Sequence, residues 1–281
     1  VRFAKAHGLG NDFILVAADA GPGAVQTPAF VRRLCDRHRG VGGDGVILYE
    51  TSGDGVRMRL VNADGGDAEI SGNGLRCLAA FAVARGLARP SHVVHTAAGP
   101  RPVTVIPTEG SRFRIATDLG PPILRSDLIP VSLDPPQATV LAHRLEAAGR
   151  EIVVTATSMG NPHCALFLEA PPKDGEFHAL GPALEHHPFF PRRTNVEFVT
   201  VTSRGEIEVR FWERGVGPTQ ASGTGSASAA VASILTGRTD RRVRVVCAGG
   251  TLDVEWPEGG HVHQVGEVEL LFEGEWAGPT A

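Results

Sequence analysis

Two short phrases recur in the same order along this chain, and that recurrence limits its fold more than any other feature. "GLGNDF" holds Asn11 and is followed 60 residues later by "SGNG", which begins at Ser71. "SMGNPH" holds Asn161 and is followed 61 residues later by "SGTG", which begins at Ser222. Each Ser-Gly-x-Gly turn opens an alanine-rich stretch, "LRCLAAFAVARG" in one half and "SASAAVASILTG" in the other. One glycine turn could match by chance, but two ordered markers at nearly equal spacing argue for an internal duplication.

The local signals agree with two similar halves. "FILVAA", "GVILYE", "VRMRLVNA", "RPVTVIP" and "RFRIATDL" read as strands from their β-branched content and partial alternation. In the second half "EIVVTATSM", "CALFLE", "VEFVTVTS", "EIEVRFWE", "RVRVVCAG" and "TLDVEW" read the same way. Three stretches read as helices: "TPAFVRRLCDRH", with Thr27 as N-cap and Pro28 in the first turn, and the two alanine-rich stretches, which end on Gly86 and Gly237. Many strands with one long helix per half give an α+β fold. Gly120-Pro121-Pro122 breaks regular structure and divides residues 1–119 from 120–265.

A helix start that opens on serine and glycine offers unpaired N–H groups and a partial positive charge. Glycine lets a ligand approach that backbone, and a carboxylate is the natural guest. Two such starts on one amino acid would put a hydroxyl on each face of its α-carbon, the arrangement for removing a proton from one side and returning it on the other. Read singly, each serine is an ordinary N-cap; the matched spacing favours the chemical reading.

Other functions are excluded or weakened. A net charge of −4 without long single-sign runs leaves no nucleic-acid footprint, and no apolar run approaches the length of a bilayer span. "VRFAKAHGLG" carries no signal-peptide pattern, so a cytoplasmic protein is expected. "GVGGDG" at 40–45 follows the charged "DRHR" rather than an apolar strand, which argues against a dinucleotide site. No G-x-S-x-G elbow is present. Cys35, Cys77, Cys164 and Cys247 lack metal-site spacing and read as buried reduced thiols, and the pairs His186-His187 and His261/His263 lack a third ligand, so no metal is expected. The only lysines, Lys5 at a strand and Lys173 in the loop "PPKDG", make poor Schiff-base candidates, so no pyridoxal cofactor is expected.

"KAHGLGNDF", "DRHRGVGGDGVILYE", "RLVNADGGDAEISGNGLRC", "SMGNPH", "RRTNVEFV" and "WERGVGPTQASGTGSASAA" together resemble the diaminopimelate epimerase family, in its order, from Phe3 to about Trp276. The resemblance implies two pseudo-symmetric α+β domains, each a mainly antiparallel sheet wrapped around a central helix. Substrate would lie in the cleft between them, and strand 266–281 would return to the first domain. It implies cofactor-free interconversion of LL- and meso-2,6-diaminopimelate by a homodimer whose partner is a small molecule. The matched substrate-binding positions are Asn11, Asn62, Asn161, Asn195, Glu213 and Arg214, with the backbones of Gly72, Asn73, Gly223 and Thr224 on the reacting carboxylate. His163 and Glu213 match residues that adjust the acidity of the catalytic pair. At the two catalytic positions the family carries cysteine, and this chain carries Ser71 and Ser222. A hydroxyl is a far weaker acid than a thiol and needs an adjacent base. Three functions therefore stay open: an epimerase working through serine, a related isomerase or dehydratase using His163, Glu213 or a bound water, and an amino-acid-binding protein without turnover.

Overall fold

The computed structural model describes residues 1–20, 27–68, 71–97 and 99–277. It divides into two compact units, Val1–Asp118 with Val265–Ala281, and Leu119–Gln264. The first unit contains β1 (Arg2–Gly8), β2 (Asn11–Ala17), α1 (Pro28–Cys35), β3 (Gly45–Ser52), β4 (Gly55–Asn62), β5 (Asp67–Ala68), α2 (Gly72–Ala84), β6 (Ser91–Thr96), β7 (Gly99–Pro107) and β8 (Arg112–Asp118). The second contains β9 (Val140–Ala147), β10 (Arg150–Ser158), β11 (Pro162–Leu168), α3 (Asp174–Glu185), β12 (Asn195–Ser203), β13 (Glu206–Glu213), β14 (Gly217–Thr219), α4 (Gly223–Leu235), β15 (Arg242–Cys247) and β16 (Gly250–Glu255). The last strand, β17 (His263–Glu275), belongs mostly to the first unit.

Strand pairing in the first unit returns to its starting point. β1 pairs antiparallel with β2, β2 runs parallel to β3, β3 is antiparallel to β4, and β4 is parallel to β6. β6, β7 and β8 then follow as antiparallel neighbours, and β17 pairs with both β8 and β1. The second unit repeats the scheme: β9–β10–β11 antiparallel, β11–β12 parallel, β12–β13 antiparallel, β13–β15 parallel and β15–β16 antiparallel. Both parallel steps span a helix, α1 or α3 in the first case and α2 or α4 in the second, as such crossovers require.

Burial explains the sequence pattern. Phe13 and Leu15 of β2 pack with Ile47, Met58, Leu75 and Leu78 around α2, while Ile14 and Val16 pack with Val31, Leu34, Val46 and Leu48 around α1. These strands are covered on both faces, which is why they read as unbroken apolar runs. α2 is buried along almost its whole length, and α4 likewise, with Ala, Ser and Gly filling positions that larger side chains could not. A helix that is apolar on all sides belongs inside a protein, not on its surface. Gly86 and Gly237 follow the C-caps in the left-handed region, at φ 68° and 70°. Among the described residues no helix is long and apolar enough to cross a membrane.

Two helical expectations change. α1 ends at Cys35, short of the expected span, because the Asp36 carboxylate accepts the N–H groups of His38 and Arg39 at 2.8 and 3.0 Å and turns the chain. The loop "PPKDG" is cut short: Lys173 stands at the N-cap, outside the helix, and a fourth helix not among the three expected, α3, begins at Asp174. Gly181 and Pro182 disguise this helix. Gly181 is required by packing: a Cβ there would meet the Trp212 ring at 2.5 Å. Trp212 is fixed by its own indole N–H, which donates to Glu185 Oε2 at 2.8 Å. Gly181→Ala should therefore destabilise the protein by about 1–3 kcal/mol in urea unfolding, despite its better helix propensity; an increase in stability would contradict the packing described.

Candidate active site

Ser71 and Ser222 have nearly the same local geometry. Each is an extended N-cap, at φ −127° and ψ 124° for Ser71 and φ −136° and ψ 124° for Ser222. Ser71 Oγ accepts the Gly74 N–H at 3.1 Å, and Ser222 Oγ accepts the Gly225 N–H at 3.2 Å. The amides of Gly72 and Asn73, and of Gly223 and Thr224, have no partner inside their helices. Neither first turn carries an acidic side chain, so the positive end of each helix is not neutralised from within. Gly225 has a steric reason: a Cβ would lie 2.9 Å from Ser222 Oγ and 3.0 Å from the Phe211 ring.

In the first unit the α2 start is tied to the β2 start by amides and fixed charges. Asn73 Nδ2 donates to Asn11 Oδ1 at 3.2 Å, and the buried Arg76 guanidinium donates to Asn73 Oδ1. Asn11 Nδ2 donates to Asp44 Oδ2 at 2.7 Å, which also accepts the Asp12 N–H at 3.1 Å. Arg37 reaches both Asp12 oxygens, at 3.1 and 2.6 Å, and Asp44 Oδ1 at 2.8 Å. Lys5, in β1 and buried, lies 2.6 Å from Asp12 Oδ2 and also donates to the Gly42 carbonyl. Burial raises the Asp12 carboxyl's proton affinity, but Arg37 and Lys5 outweigh it and hold its pKa at about 2. The resemblance pointed to Asn11 and Asn73 but to none of the charges behind them. Asn62, at the exposed end of β4, shapes a turn through the backbones of Gly65 and Gly66 and is hydrogen-bonded to none of these side chains among the described residues.

The second unit meets the equivalent positions with different chemistry. Asn161 Nδ2 lies 3.5 Å from Thr224 Oγ1 at the α4 start, and Asn161 Oδ1 lies 3.0 Å from His163 Nε2. His163 Nδ1 lies 2.6 Å from Glu197 Oε1, with both side chains 1% exposed. Burial raises the Glu197 carboxyl above its ordinary range, His163 opposes that, and the nearby Glu213 adds to it. Asn195 is used as a staple: Nδ2 donates to the Pro162 carbonyl at 2.9 Å and Oδ1 accepts the Arg214 N–H at 3.0 Å. Glu213 Oε1 accepts the Thr219 hydroxyl at 3.0 Å, and Arg214 Nη1 donates to the Arg192 carbonyl at 3.3 Å. Glu197 was missed. Its only signal was an acidic residue inside the apolar strand "NVEFVTV".

These surroundings define what the serines can do. Each hydroxyl takes up a helix N–H, and neither is hydrogen-bonded to a carboxylate or an imidazole among the described residues. The thiols offer no alternative base. All four are buried and none is in a disulfide; burial pushes Cys35 up to about 11, Cys77 up to about 12 and Cys164 well above the usual range, and Cys247 Sγ donates to the Gly250 carbonyl at 3.3 Å. Among the described residues no group of three His, Cys, Asp or Glu side chains is placed to hold a metal ion.

Comparison with known proteins places this geometry in a family. The model of the family described as diaminopimelate epimerase matches residues 3–124 and 155–271. A diaminopimelate epimerase from Desulforudis audaxviator is 46% identical over 280 residues, covering 98% of this chain and 99% of that protein. One from Pelotomaculum thermopropionicum is 44% identical over 284 residues, with 98% and 99% covered. Among solved structures, a predicted epimerase from Pseudomonas aeruginosa superposes with a TM-score of 0.68 at 18% identity, covering 99% of each chain, a likeness of fold.

Two measurements test this description. The Asp12 pKa of about 2 lies below the value of about 3.9 of an unfolded chain, so its ion pairs stabilise the protein above that range and lose their effect as pH falls from about 4 to about 2. Asp12→Asn should lower stability at pH 7 by about 2–3 kcal/mol and flatten the decline between those pH values in denaturant titrations. In the native protein all four cysteines should resist a thiol-reactive disulfide reagent at pH 8, and all should react after unfolding; one fast-reacting native thiol would show that a sulfur is available for proton transfer.

Proposed function

The chain belongs to the diaminopimelate epimerase family, a family of isomerases, and on that premise we propose that it interconverts LL- and meso-2,6-diaminopimelate by proton transfer at the α-carbon. The observation that carries this reading is the pair of like-capped helix starts, each headed by a serine at a position where the resemblance expects a catalytic group. In this reading the amides of Gly72, Asn73, Gly223 and Thr224 receive the reacting carboxylate. Ser71 serves one face of the α-carbon and Ser222 the other. Asn11, Asn62, Asn161 and Asn195 supply neutral donors and acceptors, Glu213 takes the remote ammonium, and Arg214 forks onto the remote carboxylate. His163 and Glu213 adjust the field around the proton-transfer groups. The reading also takes the protein as a cytoplasmic, cofactor-free homodimer.

Serine sets the rate. General acid–base transfer is most efficient when the group's pKa is near the working pH, and a hydroxyl lies far above it. A specific observation favours a second reading, binding without turnover: both hydroxyls already accept an N–H, and among the described residues neither is hydrogen-bonded to a carboxylate or an imidazole. The two readings separate by deuterium incorporation at the α-carbon of LL- or meso-diaminopimelate in D₂O. Slow but enzyme-dependent exchange is expected, and binding without any exchange would establish the second reading instead. Ser71→Cys with Ser222→Cys should raise the exchange rate about a hundredfold or more. A folded double variant that binds diaminopimelate and remains inert would rule out proton transfer at these positions.

A further inference from the structure

The two units treat one matched asparagine in opposite ways. β2 pairs with β3 so that Phe13 stands opposite Gly45, and β11 pairs with β12 so that His163 stands opposite Asn195. Asn161 therefore matches Asn11, His163 matches Phe13, and Glu197 matches Ile47. In the first unit the carboxylate of Asp44 takes the Asn11 NH₂, and the Asn11 carbonyl is left facing the α2 start. In the second unit the imidazole takes the Asn161 carbonyl, and the Asn161 NH₂ is left facing the α4 start. An apolar pair in one unit is a buried acid–base pair in the other.

We propose that Glu197 is a positioning residue: it shares a proton with His163 Nδ1, keeps a hydrogen on His163 Nε2, and so holds the Asn161 amide with its NH₂ toward the start of α4. His163 Nε2 faces a side-chain carbonyl, so it must donate, and Nδ1 faces a carboxyl oxygen at 2.6 Å, a distance that requires a proton between them. The second carboxyl oxygen, Oε2, meets no donor among the described residues. A full negative charge there would be poorly solvated, which favours a proton shared within a neutral pair. The titratable groups that bear on Glu197 are His163 and Cys164 of β11 and Glu213 of β13; Cys164 is held neutral by burial, and Glu213 pushes the Glu197 proton affinity further up. The pair thus fixes a donor, rather than an acceptor, beside the helix start. That this donor serves a substrate carboxylate rests on the function proposed above.

Nitrogen-15 and proton NMR of the ligand-free protein, with His163 assigned through His163→Gln, tests the proton arrangement directly. The expected result is a hydrogen on Nε2 at pH 7 and a far-downfield proton resonance between Nδ1 and Glu197, lost in Glu197→Gln. Calorimetric titration with meso-diaminopimelate should then show Glu197→Gln binding about tenfold more weakly than wild type, the loss expected for one misdirected hydrogen bond to a charged group. A bare Nε2 in the wild type overturns the proposal, because the amide would then be turned the other way. So does a folded Glu197→Gln that binds as tightly as wild type. If wild type binds no diaminopimelate, the functional reading fails and the NMR result alone decides on Glu197. If Glu197→Gln does not fold, the wild-type spectrum still decides.

Discussion

The structure depends on a helix that has no solvent face. α2 and α4 are each enclosed by strands, so nearly every side chain along them is small or apolar, and the one large charged exception, Arg76, is buried against Asn73 in the first turns of α2. A buried N-terminus with unpaired N–H groups is costly unless something accepts from it. Serine satisfies the third amide of each helix and leaves the first two without a partner inside the helix. Composition and capping are thus consequences of one enclosure: alanine and glycine make the helix thin enough, serine closes its first turn, and the remaining amides keep the positive end of the helix dipole.

The duplication has kept its backbone and changed its charges. Strand pairing, the crossover helices and the cap geometry repeat between the units. The groups behind the caps do not. Lys5, Arg37, Asp12 and Asp44 support Asn11 through a network of ion pairs, while Glu197 and His163 support Asn161 through a buried pair. Backbone geometry is held by hydrogen bonds that any sequence can supply, whereas the side chains behind a site are free to diverge once each copy has its own task.

Much of the fold was legible because its signals are local. Strands buried on both faces announce themselves as β-branched runs, and Thr27, Gly86 and Gly237 mark helix ends by their own conformational preferences. α3 was missed because Gly181 answers to Trp212, a partner 31 positions away that no window on the helix contains. The candidate site was legible in a different sense. The serine turns and their spacing came from the residues themselves, while the asparagines, His163, Glu213 and Arg214 came from the family resemblance. Lys5, Arg76 and Glu197 were visible from neither, since each looks like an ordinary member of its strand or helix until the fold shows that it is buried.

The ionised cluster behind Asn11 has a consequence for how the protein senses its surroundings. Arg37, whose proton is held more tightly by Asp12 and Asp44, and Asp12, whose carboxyl is held at about 2, do not change state near neutrality, so the link between them is insensitive to ordinary swings in acidity. Behind Asn161 the support is a single acid–base pair, His163 with Glu197, closed off from water. One unit is braced by paired charges, and the other by a carboxyl whose hold on its proton burial has strengthened.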